Sequence, residues 1–266
     1  MSTDTPTRTG GAVLPAPEET TSGLVQAVRA EWTKLRSVRS TWLIVAASLA
    51  MMLVVVMYYG SISALNDEAP QPVGNAPVAA LLGVQVVLAM LSIQAVSNEY
   101  STGSIRVSLL WVPVRGRLLL AKSVLMAGVG FALGVLLAVI GALVAWPLFD
   151  GHATAEVGEL TRHVLLSGLY LALICVLSVG AAVALRYAAA ALAAVFLLLL
   201  GIPGALLVSG VPFMVKLQGY LPTAAGQHAA KGHLEPFPPV VGLLLVVGWV
   251  AVAYVAGLLV LRARDA

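Results

Sequence analysis

The chain has 266 residues, 60% of them hydrophobic and 10% charged, where soluble globular domains carry about 25% charged and 45–50% apolar residues. With a mean hydropathy of +0.97 there are too few charges to wet a globular surface, which excludes a water-soluble domain and makes lipid the solvent for most side chains. The formal net charge of +3 is small, and Cys175, the only cysteine, excludes an intrachain disulfide or a cysteine-based metal cluster.

Residues 1–23 are rich in Ser, Thr, Pro, Gly and acids and have no apolar core. They do not fit a cleaved signal peptide, which needs about 7–15 apolar residues after a basic start, and are expected to form a disordered cytoplasmic tail. From Leu24 to residue 40, Val25, Val28, Trp32, Leu35 and Val38 recur at helical spacing, with Arg29, Lys34, Arg36 and Arg39 among them. That pattern predicts an amphipathic helix in the membrane interface, apolar stripe in acyl chains and cations near anionic headgroups. Trp32, Lys34, Arg36 and Arg39 are its candidate interfacial residues, and simple topological anchoring explains them equally well.

A helix needs about 20 apolar residues to cross a hydrocarbon core of about 30 Å. Six stretches qualify: Thr41–Ser61, Val78–Val96, Ser123–Trp146, Val164–Leu185, Ala188–Ser209 and Val240–Leu261. Only Arg186 and Tyr187 separate the fourth from the fifth, which predicts a tight helical hairpin. With the N-terminus placed in the cytoplasm, all but three of the 15 Lys and Arg residues fall inside, and only Arg162, Lys216 and Lys231 fall outside. Cationic loops resist translocation, so both termini, including the 262–266 tail, are expected in the cytoplasm. Trp42, Tyr58, Tyr59, Trp111, Trp146, Tyr170 and Tyr187 are read as interfacial anchors near span ends. The excess of Arg over Lys and of Ala, Val, Leu and Gly over Ile points to a GC-rich bacterial genome, hence to a bacterial plasma membrane.

The segment 98–122 is too long for a minimal turn and mixes Glu99, Arg106, Arg115 and Arg117 with Ile105, Val107, Leu109 and Leu110. Gly103 and the Pro113–Gly116 stretch break it into short pieces. It reads either as a solvated basic loop or as a structured surface that docks another protein. The stretch from Glu31 to Ile44, EWTKLRSVRSTWLI, is similar to the opening of the type-2 ABC transporter permeases of actinobacteria. Glu99 to Arg106, then Val112 to Arg117, then Ala121-Lys122, resemble the first cytoplasmic loop of the same family, in which Ser101 replaces the basic residue of many relatives.

The resemblance implies an all-α integral membrane protein. It would have six transmembrane helices in a 41–261 permease domain, an N-terminal connecting helix, and short re-entrant helices in the 210–239 outer segment between spans five and six. It implies a coupling loop at 98–122 that docks a cytoplasmic ATPase subunit, with Glu99, Gly103, Arg106, Arg115 and Arg117 as coupling residues. Glu99 and Arg106 would fix the loop's fold or meet the ATPase, and Arg115, Arg117 and Lys122 would meet its surface or lipid phosphate. ATP and magnesium would sit on that partner, and the chain would pair with a second copy or a paralogue; no nucleic acid is implied.

The chain has no GxxxxGK[ST] phosphate loop, HExxH or GxSxG, and no carboxylate pair within a span. An ATPase must therefore be a separate subunit, and the chain is not expected to be an enzyme by itself. His228 and His233 are weakly spaced for a metal site, and none is expected. The absence of intramembrane ionisable residues argues against an ion-coupled carrier. Gln85 and Gln94 either line a substrate path or bond neighbouring helices. Gly201 and Pro203 are expected to bend the fifth span. Two rivals to the exporter remain: a non-transporting immunity or sensor-partner protein, and an intramembrane enzyme.

Overall fold

The computed structural model describes residues 22–65, 70–101, 115–149, 151, 153–232 and 234–263. Gly103, Arg106, Trp111, His233, residues 264–266 and nearly all of the expected 1–23 tail lie outside them. The described residues are helical apart from short turns and connections and one parallel pair of two-residue strands, and six helices are long and apolar enough to cross a membrane. Helix α1 is Ser22–Ser37 and the first span, α2, is Arg39–Leu65. The second, third and fourth spans are α3 (Asn75–Ser101), α4 (Arg115–Leu148) and α5 (Val157–Leu185). The fifth, α6, covers Ala188–Val208. Two short helices follow, α7 (Pro212–Gln218) and α8 (Pro222–Lys231), before the sixth span, α9 (Pro239–Ala263). Strands β1 (Gln71–Pro72) and β2 (Ala153–Thr154) join the α2–α3 and α4–α5 connections.

Helix α4 has 34 residues, which at about 1.5 Å each makes it far longer than a bilayer core is thick. Its first turns therefore extend past the hydrocarbon. With α3 running on to Ser101, both ends of the 98–122 segment are helical. Helix α5 begins at Val157, earlier than the apolar run alone suggests, because the segment carrying Glu159 and Arg162 continues the helix. That extension corrects the reading of Tyr170 as an interfacial anchor: it lies mid-helix and is fully buried.

Helices α3 and α5 form the centre of the bundle; α4 and α9 pack on α5, and α2 packs on α3. Lipid tails are as apolar as Leu, so close backbone approach rather than hydrophobic burial holds such spans together. A Cβ on Gly180 would lie 2.7 Å from the backbone of Ala253, and one on Gly257 would lie 2.7 Å from the Gly180 carbonyl oxygen. Gly180→Leu is therefore expected to force α5 from α9 at a cost of at least about 1–3 kcal/mol. In a detergent melting series this variant should unfold well below the parent. Gly248→Leu, whose added Cβ meets nothing within 4 Å, should melt like it.

Two irregularities shape the second half. Helix α5 ends at Arg186, the only non-glycine residue with positive φ (58°) among the described residues, whose N–H donates to the Ala182 carbonyl at 2.8 Å. A left-handed non-glycine residue costs roughly 1–2 kcal/mol, and this one reverses the chain into α6. Within α6, residues Leu197–Gly201 form a π-helical turn just before Pro203. Proline has no N–H to give the carbonyl four residues back, and its ring crowds that oxygen. The carbonyl so displaced belongs to Leu199.

Candidate functional site

Two buried polar centres stand out in this apolar bundle. The first lies at the end of the bundle where α1 packs. Ala27, Glu31 and Leu35 recur every four residues along α1, and this stripe is buried. The apolar Val25 and Trp32 remain about half exposed, and Arg29, Arg36 and Arg39 face outward. The stripe seats Glu31 against α3 and α4. Lys122 of α4, 4% exposed, donates to Glu31 Oε2 at 2.5 Å and lies 3.0 Å from Glu99 Oε1. Lys34 Nζ donates at 2.8 Å to both Glu31 Oε1 and Glu99 Oε1. Two carboxylates and two ammonium groups thus alternate around a closed ring drawn from α1, α3 and α4. Buried charges are tolerable only when paired in this way.

Burial opposes ionisation of Glu31, but the Lys122 charge and hydrogen bond, helped by Lys34, hold its carboxyl below the ordinary 4.5. Burial likewise opposes the charge on Lys34, yet hydrogen bonds to Glu31 and Glu99 hold it above the ordinary 10.5. A depressed carboxylate contributes stability that is complete above its unfolded value and lost as pH falls through its folded one; a raised lysine contributes below its unfolded value and loses that as pH rises through its folded one. The attachment of α1 should therefore be constant from about pH 5 to 10 and loosen outside that range at both extremes. Hydrogen exchange of the α1 amides across pH, corrected for intrinsic rates, checks this.

The structure brings Glu99 and Lys34 together, although the sequence assigns them to different features. Glu99 belongs to the last turn of α3 and is 6% exposed. Lys122, which the resemblance assigned to the ATPase surface or to lipid phosphate, is buried inside the protein instead. Arg115 opens α4, and Arg117, two residues further on, is exposed. Glu31 had no role in the sequence reading. Its signal was an acid set between Ala27 and Leu35 at four-residue spacing, which places a carboxylate on the buried face.

The second centre lies deeper, where α3, α5, α6 and α8 meet. Tyr170 Oη donates to Gln85 Oε1. Thr223, in the first turn of α8, lies 3.3 Å from the same Gln85 oxygen and donates at 2.6 Å to the Leu199 carbonyl. Thr223 thus supplies the hydrogen bond that Pro203 denies to Leu199. Gly226 lies flat on the Tyr170 ring, where a Cβ would come 2.2 Å from Cδ2 and Cε2. Gln85 is fully buried and bonds across helices to Tyr170 and Thr223, and Gln94 is half-buried. Tyr170 and Thr223 were missed because the partners are 85 and 138 residues from Gln85 in sequence.

Toward the end opposite α1, His228 Nε2 donates to the Phe237 carbonyl at 2.7 Å and its ring packs edge-on against Phe237. Trp249 donates to the Tyr220 carbonyl at 3.1 Å. These contacts fix the helices between spans five and six onto α9. Among the described residues no group of three His, Cys, Asp or Glu side chains is placed to hold a metal ion.

A family model described as ABC-2 family transporter protein matches residues 27–204. The match takes in the whole ionic ring, Gln85, Tyr170 and the π-helical turn, and stops before α8. No curated protein matches the chain.

Proposed function

The chain belongs to the ABC-2 family of transporter proteins, and on that premise we propose that it is the permease subunit of an ATP-driven exporter. Proteins of this family are membrane components that work with an ATPase subunit, and the six apolar helices make this a multi-pass membrane protein. The ATPase, carrying ATP and magnesium, docks on the segment between α3 and α4, which holds Gly103 and Arg106, and on the start of α4, which holds Arg115 and Arg117. Glu99 acts from inside as the root of that segment.

One observation carries this reading. The ring of Glu31, Lys34, Glu99 and Lys122 ties α1 to both helices that frame the 102–114 segment. A docking segment transmits force only if its two ends are held by something stiff. A loop that merely obeyed the charge rule for topology would need no such root. The outward-facing Arg29, Arg36, Arg39 and Arg117 lie at this end, whereas Arg162, Lys216 and Lys231 belong to the other, a charge asymmetry that supports a cytoplasmic α1 end. Helix α1 then lies along the inner membrane surface with Trp32 toward lipid, and α7 and α8 re-enter from the outside. Helices α2, α6 and α9 are the least buried spans; a second copy or a paralogue covers part of them, and the path for an apolar or amphiphilic cargo opens between the copies.

Co-expression with an ABC ATPase encoded beside it, followed by purification in mild detergent, tests the assignment. A stable complex that hydrolyses ATP and loses its ATPase when residues 102–114 are replaced by a Gly/Ser linker is expected. A permease recovered free of any ATPase would favour the non-transporting immunity or sensor-partner alternative.

A further inference from the structure

The last turn of α3 is gripped on two sides by consecutive residues. Glu99 faces the ionic ring of α1 and α4. Tyr100, next on the helix, faces the α5–α6 turn, where the Arg186 guanidinium carbon stands 5.7 Å from its ring centroid. Arg186 reaches further with Nη2, 3.4 Å from the Val260 carbonyl in the last turns of α9. One side chain therefore bridges the root of the docking segment, the start of α6 and the end of α9. Its backbone holds the left-handed conformation that glycine adopts freely and arginine does not. A turn with no other duty would be better made by glycine.

We infer that Arg186 is a positioning residue that passes displacement of the α3 root through Tyr100 into α6 and α9, the two spans whose far ends carry the α7–α8 pair. A cation over an aromatic face is held directionally, so a shift of Tyr100 carries the guanidinium with it. The stiff two-residue turn then moves the start of α6, whose π-helical turn and Pro203 supply the bend further along. This rests on the exporter reading: without an ATPase at the 102–114 segment there is no stroke to pass on.

The test uses the purified permease–ATPase complex in lipid nanodiscs, with Cys175→Ser and a Val208→Cys spin-label reporter at the far end of α6, where Val208 is 86% exposed. The parent should show a change in the label's mobility or solvent accessibility between the nucleotide-free state and ATP, magnesium and vanadate. Arg186→Gly relieves the backbone and removes only the side chain, so the turn still forms. In that variant the ATPase should still co-purify and hydrolyse ATP within about twofold of the parent, while the reporter response falls at least about fivefold. Tyr100→Phe should keep the response and Tyr100→Leu should lose it, a split that a purely structural role would not produce. An unchanged response in Arg186→Gly, or equal responses in the two Tyr100 variants, overturns the inference. If no ATPase accompanies the parent, the exporter reading fails and the relay fails with it.

Discussion

Lys122→Met releases α1, at a cost of about 3–5 kcal/mol, the range for removing one partner of a buried ion pair. Methionine fills the same volume, so packing changes little. What changes is that Glu31 and Glu99, both nearly buried, are left facing Lys34 alone, whose side chain is 51% exposed. Two carboxylates sharing one half-solvated cation repel each other and draw water into the site. Hydrogen exchange in α1 should accelerate by roughly two to three orders of magnitude relative to the parent, while the centre of α5 remains protected. Adding Glu31→Gln removes one excess negative charge and leaves Glu99 paired with Lys34, so the double variant should recover most of the loss. Unaltered α1 exchange in Lys122→Met would show that the ring does not hold the helix.

Thr223→Val should destabilise the seating of α8 by about 1–3 kcal/mol, the cost of leaving a buried carbonyl without a donor. Valine matches threonine in shape, and the lost hydroxyl is the donor to the Leu199 oxygen. Only Pro203 makes that oxygen depend on Thr223. In a Pro203→Ala background the alanine N–H reaches back to Leu199 and restores the ordinary helical bond. There Thr223→Val should cost little beyond its weaker contact with Gln85. The two substitutions are thus expected to be strongly non-additive. Thiol labelling of Ala229→Cys in a Cys175→Ser background reads the seating, because Ala229 is fully buried on α8. Labelling should be fast in Thr223→Val and slow in the double variant. Equally fast labelling in both would mean that the π-helical turn leaves no carbonyl for Thr223 to satisfy.

The spans were legible because length and hydropathy alone define them. Apolar runs of 19 to 24 residues cannot be anything else in a chain with so few charges, and the structure extends all but the fifth of them at their polar ends. What extends α5 to Val157 and α4 back to Arg115 is helix continuation into the interface, which hydropathy does not register. The charged ring was half legible. Glu99 and Lys34 were singled out, but for separate roles, since nothing in the sequence says that residues 65 apart share a proton donor and acceptor. Glu31 was hidden among basic neighbours, and Lys122 looked like one more cation of the inner surface. The Pro203 bend was visible as a proline in a span. Its partner Thr223 was not, because it lies in the 210–239 segment, where the family resemblance implies short helices without saying which side chains they bring to the fifth span. Tyr170 was misplaced for the same reason that aromatic belts are a useful rule: most, but not all, Tyr and Trp in such chains sit at interfaces.

The account depends on the 102–114 segment facing the compartment that holds the ATPase. Ser108→Cys in the Cys175→Ser background places one reactive thiol there. Membrane-impermeant maleimide should modify it in inside-out vesicles and not in intact cells, and bound ATPase should slow that reaction at least about tenfold. Modification from outside intact cells would leave the segment beyond reach of any cytoplasmic motor and would contradict the assignment.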